Sequence, residues 1–161
     1  MRAPRLLAAG AATASLLTLS ACQQPTPIVS VVSGGKTVHD EAVSYCFDGQ
    51  DPSKAPGTSG ACRYTKLAPQ LVRVRPGEQV GVDVSKEVAD GAWVLQVTSQ
   101  APSADGSPAQ PQTSGIQDSH YFTFAPSFEN GAPIELQVKS LASSAANAQV
   151  TGVWRFVLAP K

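Results

Sequence analysis

The sequence predicts an all-β fold, an antiparallel β-sandwich that follows an N-terminal leader. Apolar and polar residues alternate with a period of two, as they do in half-buried strands. The alternating segments are short and separated by turn residues, and no long segment has the 3.6-residue period of an amphipathic helix. A chain of 161 residues is long enough for one such domain with its own core.

The first 21 residues have the organisation of a secretory signal peptide. Arg2 and Arg5 precede an uncharged run rich in Ala and Leu at residues 6–19. At about 14 residues, this run is shorter than the 18 or more of a membrane-spanning helix, which disfavours a transmembrane anchor. Leu19-Ser20-Ala21-Cys22 then matches the bacterial lipobox. The motif predicts that the Cys22 thiol is first joined to a diacylglyceride, which carries acyl chains such as palmitate, and that the leader is then cut just before Cys22.

The predicted mature chain has two parts. Residues 22–27 form the lipidated N-terminus and a short polar tether, and residues 28–161 form the β-sandwich domain. Five extended tether residues span roughly 16 Å. We therefore expect the domain to lie close to the extracytoplasmic face of the cell membrane, with the lipid anchor as its membrane contact.

Strand-like segments follow one another through the whole domain. They are residues 28–33, 36–39, 42–47, 62–67, 71–75, 79–84, 93–98, a segment with Phe122 and Phe124, 134–139 and 150–158. Gly34-Gly35 predicts a hairpin between the first two segments, and Pro76-Gly77 predicts one between residues 71–75 and 79–84. Residues 85–90 favour one helical turn, whereas the Ala-rich residues 141–148 are too few for a stable helix.

About eight closely spaced strands without amphipathic helices favour a sandwich of immunoglobulin-like type, with a closed barrel as the alternative. Two long loops stand out, at residues 48–61 and 101–115. Long loops on a rigid sandwich often carry binding sites. The low-complexity composition of the second loop is also typical of a tolerant surface loop.

The cysteines predict a disulfide. With Cys22 assigned to lipid, Cys46 and Cys62 remain as a pair in an exported, oxidising setting. Closing a loop of about 17 residues contributes about 3 kcal/mol in the chain-entropy model. Both tryptophans follow this pair in the sequence, so we expect the bridge to fasten a local excursion and not the centre of the sandwich.

Charge gives no sign of a nucleic-acid partner. The chain has 12 basic and 12 acidic side chains, and nucleic-acid binding needs a clustered basic face. The basic residues are spread singly along the sequence except for Arg73 and Arg75, which we interpret as the solvated face of one strand.

No catalytic residue is predicted, and we expect a protein without enzymatic activity. Ser33-Gly34-Gly35-Lys36 has the SxxK spacing of penicillin-binding enzymes, but that chemistry needs a helix start and Gly-Gly favours a hairpin. Asp118-Ser119-His120 has the residue types of a hydrolase triad. Sequence neighbours on an extended chain point to alternate sides and do not form the relay.

Metal ligands are also scarce, and we expect neither a metal nor another cofactor. Blue-copper sites need two His, one Cys and usually Met. His39 and His120 are the only histidines, and the one methionine lies in the leader. Zinc sites favour tight Cys or His doublets, which are missing. Asp48 and Asp51 lack the acidic ladder of a calcium loop and favour an ordinary turn.

Trp93 and Trp154 are the strongest candidates for contacts with a ligand or partner. Both lie on apolar faces of predicted strands, where packing in the core is the usual role of such residues. The alternative is a groove between the sheets, lined by the two indoles with Tyr45, Tyr64 and Tyr121.

The chain resembles small actinobacterial secreted lipoproteins built on an uncharacterised domain. The resemblance rests on the lipobox, Tyr45-Cys46-Phe47-Asp48, Cys62, Val74-Arg75-Pro76-Gly77 and residues 85–93. It covers most of the mature chain and implies the outer face of the cytoplasmic membrane in a high-GC Gram-positive bacterium. The family has no assigned activity, so the resemblance implies no catalytic residue.

The sequence thus predicts a non-enzymatic binding or accessory module of the cell envelope, anchored through Cys22. An envelope protein is the expected partner. The alternative is a carrier of a small lipid or other apolar ligand. The oligomeric state is left open.

Overall fold

The computed structural model of the protein describes residues 24–53, 61–102 and 106–161. The strands are β1 (Ile28–Ser33), β2 (Lys36–Glu41), β3 (Ser44–Cys46), β4 (Cys62–Tyr64), β5 (Gln70–Val74), β6 (Val80–Val84), β7 (Trp93–Ser99), β8 (Gln112–Thr113), β9 (Tyr121–Phe124), β10 (Ile134–Leu141) and β11 (Val150–Pro160). One α-helix, α1 (Lys86–Ala89), and one 3-10 helix (Glu129–Gly131) complete the elements of these residues. The predicted leader and Cys22 lie outside the described residues.

The strands form two sheets, which confirms the predicted all-β sandwich. The smaller sheet has the order β2-β1-β6-β9 and is antiparallel throughout. The larger sheet has the order β4-β3-β11-β10-β7-β8, and β5 pairs in parallel with the second half of β11. The larger sheet therefore has β4 and β5 on one side and β8 on the other.

The core lies between the two sheets and is built from every second residue of each strand. On β6, Val80, Val82 and Val84 are buried whereas Asp83 is exposed, as the alternation predicts. Opposite them, Leu136, Phe156 and Leu158 are among the fully buried side chains of the larger sheet. The α1 turn also contributes, because Val88 is buried within the same cluster.

Two turns that are adjacent in space were both predicted to form hairpins, and only one of them does. The Gly34-Gly35 hairpin is confirmed: β1 and β2 pair, and both glycines have positive φ, at 56° and 73°. The predicted hairpin at Pro76-Gly77 is wrong. A turn forms there, with the Glu78 N–H donating to the Arg75 carbonyl at 3.0 Å, but it carries the chain from β5 in the larger sheet to β6 in the smaller one.

Glu78 joins these two turns. Its carboxylate accepts hydrogen bonds from the Arg75 N–H at 3.1 Å and from the Ser33 hydroxyl at 3.2 Å. The backbone N–H of Arg75, together with Ser33, lowers the pKa of the Glu78 carboxyl. The Ser33 hydroxyl therefore has a structural role at the hairpin, in agreement with the rejection of an SxxK site.

The predicted disulfide between Cys46 and Cys62 is confirmed. These residues are opposite each other in the β3-β4 pair, with their Cα atoms 4.0 Å apart. Both are buried in a small cluster separate from the main core. The bridge therefore fastens the β4 side of the larger sheet and lies outside the main core.

The chain segment before β1 is part of the folded body. The Thr26 side chain is 6% exposed, and its hydroxyl oxygen accepts a hydrogen bond from the Ala42 N–H at 3.2 Å. The Pro27 carbonyl accepts one from the Trp154 indole N–H at 2.9 Å. The tether was expected to extend to residue 27, but Thr26 and Pro27 are already docked on the sandwich. Among the described residues, no helix has the length and apolar character needed to cross a membrane.

Candidate functional site

A groove opens between β8 and β9, at one side of the sandwich. Its volume is about 550 Å³, within the range of sites that hold small ligands or inserted side chains. The groove forms because β9 is the last strand of the smaller sheet and β8 the last of the larger one. Since these strands belong to different sheets, no ladder closes the space between them.

The floor of the groove is apolar. Leu95, Val97 and Ile134 rise from the inner face of the larger sheet, and Phe122 and Phe124 form the wall on the β9 side. Burial alternates along β9, with Tyr121 and Thr123 exposed and the two phenylalanines half-buried. The half-buried phenylalanines therefore offer apolar surface to an occupant.

The rim of the groove is polar. It is formed by Ser99, Gln110, Gln112, Thr113, Ser114, Ser127 and Glu129. Glu129 is the one charged side chain among the described lining residues. An apolar floor with a few polar groups at the mouth is typical of binding sites that combine burial with orientation.

The 101–115 loop supplies one wall of the groove. Ala109, Gln110, Gln112, Thr113 and Ser114 all line it. The Ser114 N–H donates to the Leu95 carbonyl, and its hydroxyl oxygen accepts from the Leu95 N–H at 3.0 Å. This part of the loop is thus fastened to β7. Gln112 and Thr113 form β8, so this part of the predicted loop is an edge strand paired with β7.

A smaller depression adjoins the groove near the end of β9. It has a volume of about 420 Å³ and shares Pro126 and Ser127 with the groove. Its other lining residues include Phe128, Pro76 and Pro160. The segment after β9 therefore has concave surface on both sides.

Trp93 and Trp154 do not line the groove. Both are fully buried, and each indole N–H donates to a backbone carbonyl, that of Ser119 for Trp93 at 2.8 Å and that of Pro27 for Trp154. Trp93 packs edge-on against Phe122, with ring centroids 6.4 Å apart. It supports the groove wall from behind without reaching the open space.

The three tyrosines also differ from the predicted groove lining. Tyr45 packs against Trp154, with ring centroids 5.9 Å apart, and burial together with the negative charge of Glu87 raises its pKa. Tyr64 and Tyr121 are about half exposed. Their strands place them on outer sheet faces, away from the inner-facing phenylalanines.

The other residues considered for chemistry have structural partners. The Ser119 hydroxyl donates to the Tyr121 carbonyl at 3.0 Å, and the His120 ring lies 3.4 Å from the Val84 carbonyl. Asp48 accepts from the Gln50 N–H at 3.1 Å, which closes the predicted turn. Asp48 lies near Cys46 and Cys62, but the two sulfurs are bonded to each other and are not thiolate ligands.

Comparison of the chain with protein-family models, with curated proteins and with solved structures finds no match.

Sequence reasoning did not find the groove residues. Phe122 and Phe124 were recognised only as members of a strand, and β8 was not predicted. The sole signal was the long polar loop before them, because a loop bordering two sheet ends is a common place for a site.

Proposed function

We propose that the protein is a membrane-anchored bacterial lipoprotein that acts as a non-enzymatic binding module of the cell envelope, with the groove between β8 and β9 as its binding site. The observation that carries this proposal is the groove itself, with an apolar floor and a polar rim. The expected occupant is part of an envelope protein. Side chains of such a partner would bury apolar surface against Phe122 and Phe124, at about 25 cal/mol per Å².

Photo-crosslinking tests the binding site. A photoreactive amino acid replaces Thr113 on β8 at the groove or, as the matched control, Thr37 on β2 at the opposite edge of the smaller sheet. Both threonines are exposed. In intact cells of the producing bacterium, we expect a discrete adduct with an envelope protein from position 113 and none from position 37. Identical adduct patterns at the two positions would contradict the proposal.

A carrier of a small lipid or other apolar ligand is the second candidate, because the groove floor is apolar. Organic extraction and mass spectrometry of the purified protein test it. A carrier should release one enriched apolar compound, and Phe124→Ser should reduce its yield while leaving the fold intact by circular dichroism. Extracts indistinguishable between the two proteins would count against a carrier.

Processing of the precursor tests the lipid anchor. Cys22→Ala should leave the leader uncut or cut elsewhere, and globomycin should make the lipidated precursor accumulate. Both are visible as mobility shifts on a gel. Unchanged processing in the two experiments would refute the lipobox interpretation.

A further inference from the structure

The charges of the protein are strongly segregated along the chain. Residues 62–77 carry four basic side chains, those of Arg63, Lys66, Arg73 and Arg75, and no acidic one. The full chain of 161 residues has 12 basic and 12 acidic side chains, so the rest of it has eight basic and 12 acidic ones. The positive segment comprises β4, β5 and the connection between them.

The same segment exposes apolar side chains. Tyr64, Leu67 and Leu71 are 46%, 51% and 50% exposed, and they are three of the six large apolar residues that are exposed among the described residues. By strand register, Leu71 is opposite the half-buried Val157 of β11. Lys66, Arg73 and Arg75 are exposed beside them. We call this surface, from Tyr64 to Arg75, the basic edge.

The basic edge lies beside the point where the N-terminal tether meets the body. Thr26 accepts a hydrogen bond from the Ala42 N–H, and the carbonyl of the next residue, Val43, accepts one from the Thr65 N–H at 2.9 Å. Cys22 precedes Thr26 by four residues, which span at most about 14 Å when fully extended. A lipid on Cys22 would therefore hold the basic edge within reach of the headgroups.

We propose that the basic edge docks on an anionic lipid surface. This inference rests on the lipid anchor of the proposed function. The basic side chains would lie among acidic headgroups, and Leu67, Leu71 and Tyr64 would enter the interface. Basic residues next to a membrane anchor attract acidic lipids, and an acyl anchor combined with a basic patch is a recurring two-part attachment.

Docking in this way sets the direction of the groove. In the larger sheet, β5 and β8 are separated by β11, β10 and β7. Four strand spacings amount to roughly 19 Å. With the basic edge on the membrane, the groove opens on the far side of the sheet, towards the cell wall and its proteins and away from the bilayer.

Depth-dependent quenching tests the orientation. The processed lipoprotein carries a fluorophore on Gln70→Cys in β5 or, as the matched control, on Gln112→Cys in β8. Both glutamines are exposed. Each labelled protein is placed in nanodiscs that contain a headgroup nitroxide, with phosphatidylcholine alone or with about one third phosphatidylglycerol. We expect strong quenching at position 70 and weak quenching at position 112, with the difference larger on the anionic discs.

Charge variants test whether the basic side chains cause the docking. Lys66→Gln with Arg73→Gln should lower the ratio of docked to undocked protein by roughly tenfold or more. Lys66→Gln alone should give a smaller decrease and guards against a folding defect in the double variant. Lys86→Gln with Lys139→Gln removes the same charge from α1 and β10 and should leave the quenching unchanged.

Several results would overturn the inference. A protein that stays on the discs but is quenched equally at both positions would refute docking and leave the anchor standing. Quenching at position 70 that changes neither with phosphatidylglycerol nor with the charge variants would refute the electrostatic basis of docking. A protein that leaves the discs would refute the anchor, and the docking with it. If the basic edge instead serves an acidic protein, position 70 stays unquenched by lipid, which also overturns the inference.

Discussion

The two sides of the larger sheet differ in almost every property that governs binding. The side with β4 and β5 carries exposed Lys66, Arg73, Leu67 and Leu71 next to the tether. The groove beside β8 is concave, and Glu129 is the one charged side chain among its described lining residues. An exposed surface with cations and apolar side chains suits an extended partner such as a bilayer, whereas a concave apolar groove suits a small ligand or an inserted side chain.

This difference teaches that one sandwich can present two chemically distinct surfaces without a second domain. The two sides share β11, β10 and β7. Strand pairing and core packing therefore fix the distance between the basic edge and the groove.

Loss of the tryptophans should have the largest effect and tests whether both sides depend on one core. Trp154 lies behind the tether and Trp93 behind the groove wall, and both are fully buried. Trp154→Ala and Trp93→Ala should each cost about 3–5 kcal/mol in the free energy of unfolding, measured with urea, because each leaves a cavity. A loss below about 1 kcal/mol for Trp93 would show that the groove side is packed separately.

Loss of the disulfide tests how much the side with β4 contributes to the stability of the whole fold. The double variant Cys46→Ala with Cys62→Ala should lower the free energy of unfolding by about 3 kcal/mol, since the unfolded chain regains its freedom. Reduction of the wild-type protein should give a similar shift of the urea midpoint. An unchanged midpoint in both experiments would mean that strand pairing alone holds β4 in place.

A matched pair of phenylalanines sharpens the contrast between groove and core. Phe124 is half-buried at the groove, whereas Phe156 is fully buried. Phe156→Ala should cost about 3–5 kcal/mol of stability, and Phe124→Ala about 1–2 kcal/mol, because its ring loses fewer contacts. Equal losses in urea unfolding would indicate that the groove is closed in solution.

The smallest effect should come from an ion pair between the two sides. A hydrogen bond from Arg155, at 2.8 Å, holds the pKa of Glu135 below its usual range, with Gln137 contributing. The carboxylate therefore stabilises the fold above about pH 4 to 5, and the contribution is lost as the pH falls through the lowered pKa. With both side chains partly exposed, we expect less than about 1 kcal/mol.

The comparison to make is urea unfolding of wild type and Glu135→Gln at neutral pH and near pH 3. The difference in stability should be present at the first pH and smaller at the second. A difference that grows on acidification would contradict the assignment.

The local alternation of residues is sufficient to predict the strands but not to predict which strands pair with each other. The alternation of Val80, Val82 and Val84 predicts β6 because burial of one face is a property of the segment itself. Pro76-Gly77 equally predicts a turn, and the turn is present. Whether the flanking strands pair is decided elsewhere, by β11 alongside β5 and by β1 alongside β6.

The groove depends on residues that are distant in the sequence. Leu95, Phe124 and Ile134 meet only after both sheets have formed, and β8 has two residues, too few to show a period. The positive segment was different, because its signal was present in the sequence as the absence of acidic residues from 62 to 77. Arg73 and Arg75 were interpreted by themselves, as the solvated face of one strand, so the longer run without acidic residues was not recognised.

The docking of Thr26 and Pro27 on the sandwich also has a mechanical consequence. The chain passes from this point directly into β1, which has β2 on one side and β6 on the other. A pull on the N-terminus along the strand would load both ladders at once, so that many hydrogen bonds must slide together before the strand leaves. A force applied at this point is therefore resisted by shear in the smaller sheet.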